Sequence, residues 1–247
     1  MELKPTDLEF ANPADALAWL VAMGADEITL DQPIDRFAES AKVVAPAAPK
    51  AAPPPAAHAQ ITDVSGLNSI AEITQALNFL ETHPLKKSSS KLSFFEGPER
   101  ADILIISDHP RREEDRSGLV FADKSRLLLT NMLAAIGLKL EDVALMNLLP
   151  WRVLGGAIAR PADVQAVLPF AKRAVELVQP KFILAIGGLP GQYLAGADAS
   201  IQRQRGKWLD AGCIPLLATL HPEELLRNPT LKRMAWRDLQ IFQEKLK

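Results

Sequence analysis

Four short apolar runs, Asp102 to Ser107, Val143 to Asn147, Phe182 to Gly187 and Pro215 to Leu220, lie between stretches whose apolar residues recur at helical spacing. Runs this short and continuous predict strands buried on both faces, because a strand with one wet face alternates apolar and polar residues. The helical stretches include "SIAEITQALNFLETH", "KSRLLLTNMLAAIGL" and "PADVQAVLPFAKRAVELVQP". Their alternation with strands predicts an α/β fold: a three-layer α/β/α sandwich around a central four-stranded parallel sheet. Ligands bind at the carboxyl ends of such strands. Here those ends are Ser107-Asp108-His109, Asn147, Gly187-Gly188 and His221-Pro222, so a carboxylate, an amide, a glycine pair and an imidazole converge on one edge.

Upstream the pattern changes. In "NPADALAWLVAMGADEITL", Asn12 is a cap, Pro13 sits in the first turn, and Leu17, Leu20 and Val21 follow at helical spacing before Gly24, which predicts a short helix. Ala and Pro fill fourteen of the twenty positions from 41 to 60, a composition that builds no core and favours extended chain. The expected organisation is a helical leader over 1–40, a linker over 41–60 and one main domain over 61–247.

Composition narrows the class of protein. Runs such as "FILAIGGL" are too short to span a bilayer, and "MELKPTDLEF" lacks the layout of a signal peptide, so a cytoplasmic protein with no membrane partner is expected. The single cysteine, Cys213, forms no internal disulfide and cannot alone hold zinc or an iron–sulfur cluster. Net charge is −2, but it is unevenly spread: from residue 85 onward there are 24 basic against 18 acidic side chains, a net +6, which leaves −8 before it. The basic part can meet an anionic polymer, although a surface average accounts for the same excess.

The segments "EDRSGLVFADKSRLLLTNMLAAIGL", "NLLPWR", "RGKW" and "LATLHPEELLRNPTLKRMAWRDL" resemble the uracil-DNA glycosylase superfamily, specifically its family 4. The leader "ALAWLVAMGADEITLDQPIDR" is also similar to that of many members. The resemblance implies the uracil-DNA glycosylase fold, cleavage of the bond between uracil and deoxyribose in DNA, and a base swung out of the stack. It implies that Phe121 stacks on the base, with Pro110 beside it, and that Asn147 reads the uracil edge with a donor and an acceptor. His221 then donates a hydrogen bond to the charge that develops on the leaving base, and Asp108 orients water below the sugar. Arg111, Arg205, Gly206, Lys207, Leu225 and Arg227 are the expected DNA contacts, with Leu225 or Leu226 as a wedge into the stack. A monomer is expected.

The departures are as informative. The family's first motif, Gly-Glu-Ala-Pro-Gly, reads Ser107-Asp108-His109-Pro110-Arg111 here, which shortens the carboxylate and replaces both glycines. Glu223 stands where Ser usually follows His-Pro, next to a second acid, Glu224. Two glycines after the stacking Phe are Asp123 and Arg126. The resemblance to family 4 also implies an iron–sulfur cluster on four cysteines, whose positions correspond approximately to Leu80, His83, Trp151 and Val167 here, so no iron–sulfur cluster and no other metal is expected.

Each candidate has an ordinary counterpart. Phe121 can be plain core, Asn147 a loop cap, His221 a backbone-bonded structural histidine, the leucine pair core, and Arg227 and Lys232 surface charge. His109 reads as a solvated imidazole or as a new acid or base. Three functions stay open: a working glycosylase for uracil or a related deaminated base, a catalytically impaired glycosylase-fold protein that binds DNA or a repair partner, and an enzyme acting on a free nucleotide or nucleoside.

Overall fold

Successive side chains on a strand point to opposite faces, so a strand that is apolar throughout needs a covering layer on each side. The computed structural model describes residue 21 and residues 64–246 other than 157 and 199. Helices α1 (Ile70–Asn78) and α2 (Pro84–Ser88) precede strand β1 (Phe95–Glu96). Strand β2 (Ile103–Ser107) leads through α3 (Arg112–Ser117) and α4 (Asp123–Ala135) to β3 (Ala144–Asn147). Then come α5 (Pro161–Val178), β4 (Phe182–Ile186), α6 (Leu189–Ala195), α7 (Ile201–Gln204), β5 (Trp208–Asp210), β6 (Pro215–Thr219), α8 (Pro222–Arg227) and α9 (Lys232–Leu246).

The sheet order is β1-β3-β2-β4-β6-β5. Its four central strands are parallel, and β1 and β5 are antiparallel edges. Leu104, Ile106, Met146 and Ala185 pack on one face with Ile73 and Leu77 of α1 and Phe170 and Ala174 of α5. Ile105, Leu145, Leu184 and Leu217 pack on the other with Leu129 and Leu133 of α4 and Leu239 and Phe242 of α9. The three-layer sandwich with a central four-stranded parallel sheet is therefore the observed architecture. The edge strands escaped the sequence pattern because two or three residues are too few to show a period.

The chain divides into two units, Met1–Ala52 and Pro53–Lys247. Apart from Val21, the predicted leader and linker lie outside the described residues. Among the described residues no helix is long and apolar enough to cross a membrane.

The segment "RREEDRSG" forms the short helix α3, which stops at Gly118 in the left-handed region (φ 83°). Three acids in its first turn favour the helix amino terminus. The Glu114 carboxylate accepts from the backbone of Arg111 at 3.2 Å and of Ala122 at 3.1 Å, tying the first motif to the start of α4. Burial pushes its carboxyl above the usual range.

Candidate active site

The strand ends are brought side by side by register. Ser107 and Asn147 are partners on β2 and β3, and the chain beyond them stays zipped, with Leu148 N–H on Ser107 O at 2.8 Å and Leu149 N–H on Asp108 O at 3.0 Å. By alternation both side chains point to the face that carries Phe121. Asn147 Nδ2 donates to Ser93 O at 3.0 Å and to Ser93 Oγ at 2.9 Å. A flipped amide would set its oxygen against that carbonyl, so the orientation is settled by chemistry. Asn147 Oδ1 and Ser107 Oγ are then both buried without a hydrogen-bond partner. Leaving such atoms unpaired is costly, and two at adjacent strand ends mark a place that a polar ligand would complete.

Asp108 follows β2 and turns toward β4. Its Oδ1 accepts from Leu189 N–H at 2.8 Å, at the start of α6. Gly187 has φ 102°, and a Cβ there would land on the Asp108 carboxylate. The glycine is required twice, for its backbone and for the room it leaves the acid. We expect Gly187→Ala to cost at least about 2 kcal/mol in chemical denaturation. An unchanged midpoint would mean that the carboxylate is free to move aside. Burial raises the Asp108 pKa to about 6 against the lowering effects of Leu189 N–H and the Arg111 charge.

His221 caps α8, its Nδ1 accepting from Glu223 N–H at 3.1 Å. That bond sets the tautomer: the proton sits on Nε2, which is left to donate. Burial, with the Arg111 charge and His109 nearby, holds the ring well below its usual pKa and hence neutral. The Phe121 ring lies 5.7 Å from it, tilted by 30°.

Asp108, Pro110 and His221 line one cleft of about 470 Å³ with Arg111, Arg152 and Arg227. Phe121 and Asn147 sit behind its wall, each 0% exposed. The front wall consists of altered residues. Arg111 lies with one guanidinium nitrogen 3.0 Å from His109 Nε2 and with Nε 3.0 Å from Glu223 Oε2. His109 is buried, not a solvated imidazole: Nδ1 donates to Pro110 O at 3.2 Å, and burial lowers its pKa to about 4.

Other expected contacts fall elsewhere. Leu225 is 1% exposed in the core among α4 and α9 residues, so it is not a wedge; Leu226 beside it is exposed. Arg205 is not free for a phosphate, because it forms a two-pronged pair with Asp238 at 2.7 and 3.1 Å. Gly206 leaves room for that acid rather than for DNA, since a Cβ would sit 2.8 Å from Asp238 Oδ1. Thr219 Oγ1 donates to the same carboxylate at 2.9 Å, so the network braces the end of β6, two residues before His221. Lys207 is exposed but off the cleft, whereas Arg227 is exposed and lines it. Arg112 and Arg152 also line the cleft and were not singled out; retention of Arg152 after "NLLPW" was the available signal for the second.

The family model for the uracil DNA glycosylase superfamily matches residues 94–240, which hold every strand of the sheet and the whole cleft. The chain belongs to the uracil DNA glycosylase superfamily. It is similar to type-4 uracil-DNA glycosylases from Archaeoglobus fulgidus, at 27% identity over 67% of this chain and 87% of the relative, and from Thermotoga maritima, at 29% over 64% and 84%. The Saccharolobus solfataricus type-4 enzyme is 30% identical over 61% of this chain and 74% of its own length.

An iron–sulfur cluster is held by four side-chain ligands, thiolates or in some cases histidines, and of the four corresponding positions here only His83 carries a ligating group. At the positions set by the resemblance, Leu80, Trp151 and Val167 belong to one apolar cluster, and His83 packs its ring 4.5 Å from that of Trp151. His83 Nε2 also donates to Asp163 O at 3.1 Å. The lone cysteine is exposed in the turn between β5 and β6. The residues present do not fit a cluster, and among the described residues no group of His, Cys, Asp or Glu is arranged for another metal.

Proposed function

We propose that this protein hydrolyses the N-glycosidic bond of uracil, or of a related deaminated base, in DNA. It works as a monomer in the cytoplasm, without an iron–sulfur cluster. The observation that carries the reading is the pair of unsatisfied atoms, Asn147 Oδ1 and Ser107 Oγ, at the strand ends beside Asp108 and on the Phe121 face. An imide edge offers the N–H that Asn147 Oδ1 lacks, and Phe121 offers an apolar face to the ring.

The chemistry follows from the states of the two ionisable groups. The ionised Asp108 carboxylate orients a water, takes its proton, and favours positive charge on the sugar. As water bonds to C1′, the C1′–N bond breaks and its electron pair leaves with the base. Negative charge on the base oxygen is met by the Nε2–H of neutral His221, which binds the transition state better than the ground state. Arg111, Arg152 and Arg227 supply phosphate contacts at the rim.

A single-uracil oligonucleotide, single- or double-stranded, tests this. We expect base release, read as strand cleavage at the abasic site, to fall by about 10²- to 10³-fold in His221→Ala. The complete burial of Phe121 and Asn147 favours a second reading, a DNA-binding protein with no base release. Salt-sensitive binding of the wild type with no product would establish that reading instead.

A further inference from the structure

Three departures from the family motifs, His109, Arg111 and Glu223, are one structural unit. Arg111 touches both of the others, at 3.0 Å each, and so links the end of β2 to the start of α8. Arg111 and Glu223 line the cleft that holds Asp108 and His221, and they also line a second cavity of about 630 Å³ reaching Ala122, the neighbour of Phe121. Their ion pair, with Arg112 beside it, is common to the linings of both spaces.

We infer that this strap is a specificity element, closed across the base pocket in the free protein and opened when a DNA phosphate displaces Glu223 from Arg111. The inference rests on the DNA reading proposed above and names what admits the base. A guanidinium matches a phosphate in shape and charge. The pair is built to part: the two side chains are 31% and 37% exposed, and Arg111 Nε is close to the carboxylate without an aligned hydrogen bond. Such half-exposed pairs are weak. Glu223 keeps a partner when Arg111 leaves, because Arg227 one turn along α8 donates to its other oxygen at 3.1 Å. Arg112 and Arg152, on the same cleft, draw the strand in without blocking it. A base attached to a flanking phosphate carries its own key, and a free base or nucleoside does not.

The test is a double-mutant cycle on DNA affinity, read by fluorescence anisotropy. The probe is a single-stranded oligonucleotide with one uracil on a 2′-fluorinated sugar, which resists base loss. Glu223→Gln should tighten binding by about fivefold, since the phosphate no longer competes with a carboxylate. The same change in an Arg111→Gln background should do much less, because the pair that had to break is already gone. Glu223→Ser, with a melting curve matching the wild type, guards against a folding artefact and should repeat the result. Equal effects in both backgrounds would refute the strap, provided the wild type still releases uracil from an unmodified oligonucleotide. If no variant binds DNA and the wild type releases nothing, the glycosylase reading has failed and the strap fails with it.

Discussion

Asp108→Asn is expected to lower uracil release by about 10²- to 10⁴-fold and, at the same time, to make the folded protein more stable at pH 7. Both effects come from one fact, the burial of a carboxyl beside Leu189 N–H, which raises its pKa from 3.8 to about 6. The folded protein therefore binds more protons than the unfolded chain between those two values, and the stability that this carboxyl contributes is full below pH 3.8 and lost as pH rises through 6. At pH 7 the ionised acid costs on the order of 3 kcal/mol, which Asn avoids while its oxygen still accepts from Leu189. Melting curves of the two proteins should separate at pH 7 and converge toward pH 4. The wild-type rate should rise between pH 5 and 7 as the acid ionises. An Asn variant that still releases uracil would remove Asp108 from the chemistry; one no more stable than wild type at pH 7 would show that the carboxyl bears no burial cost.

The second large effect concerns the place a cluster would occupy. Trp151→Ala should cost about 3–5 kcal/mol in denaturant unfolding, since it removes a fully buried ring that packs on His83 within the apolar cluster that also holds Leu80 and Val167. Trp151→Phe should cost much less, because most of the volume stays filled. Protein purified without oxygen should contain no iron or sulfide and no visible absorbance. Stoichiometric iron, or an alanine variant as stable as wild type, would overturn the view that packing carries this region.

Why some features were readable and others not is clear from individual residues. The four parallel strands could be read because continuous apolar runs admit few other fates, and the strand-end rule then selected Asp108, Asn147, Gly187 and His221 without any relative. The motif match added Phe121. The partner of each charged side chain was not legible, because charge in a sequence does not say which group it meets. Arg205 resembled a phosphate ligand until Asp238, thirty-three residues away, was found beside it. Leu225 and Leu226 were equivalent as letters, and the rotation of a six-residue helix gave one to the core and the other to solvent.

The layered α/β architecture, the edge of the sheet that gathers the polar groups, and the lack of thiolates for a cluster are all written in the order of residues along the chain. These follow from local periodicity and from residue chemistry, which need no knowledge of neighbours. Folding adds that Asp108 is held against α6 with a raised pKa, that Asn147 and Ser107 each keep an unpaired atom, and that His109, Arg111 and Glu223 close on one another. Asp108 with Leu189 and Arg111 with Glu223 are groups distant in the chain that meet within about 3 Å, and the two unpaired atoms are polar groups that no distant partner reaches; hydrogen bonding and desolvation are set by such meetings.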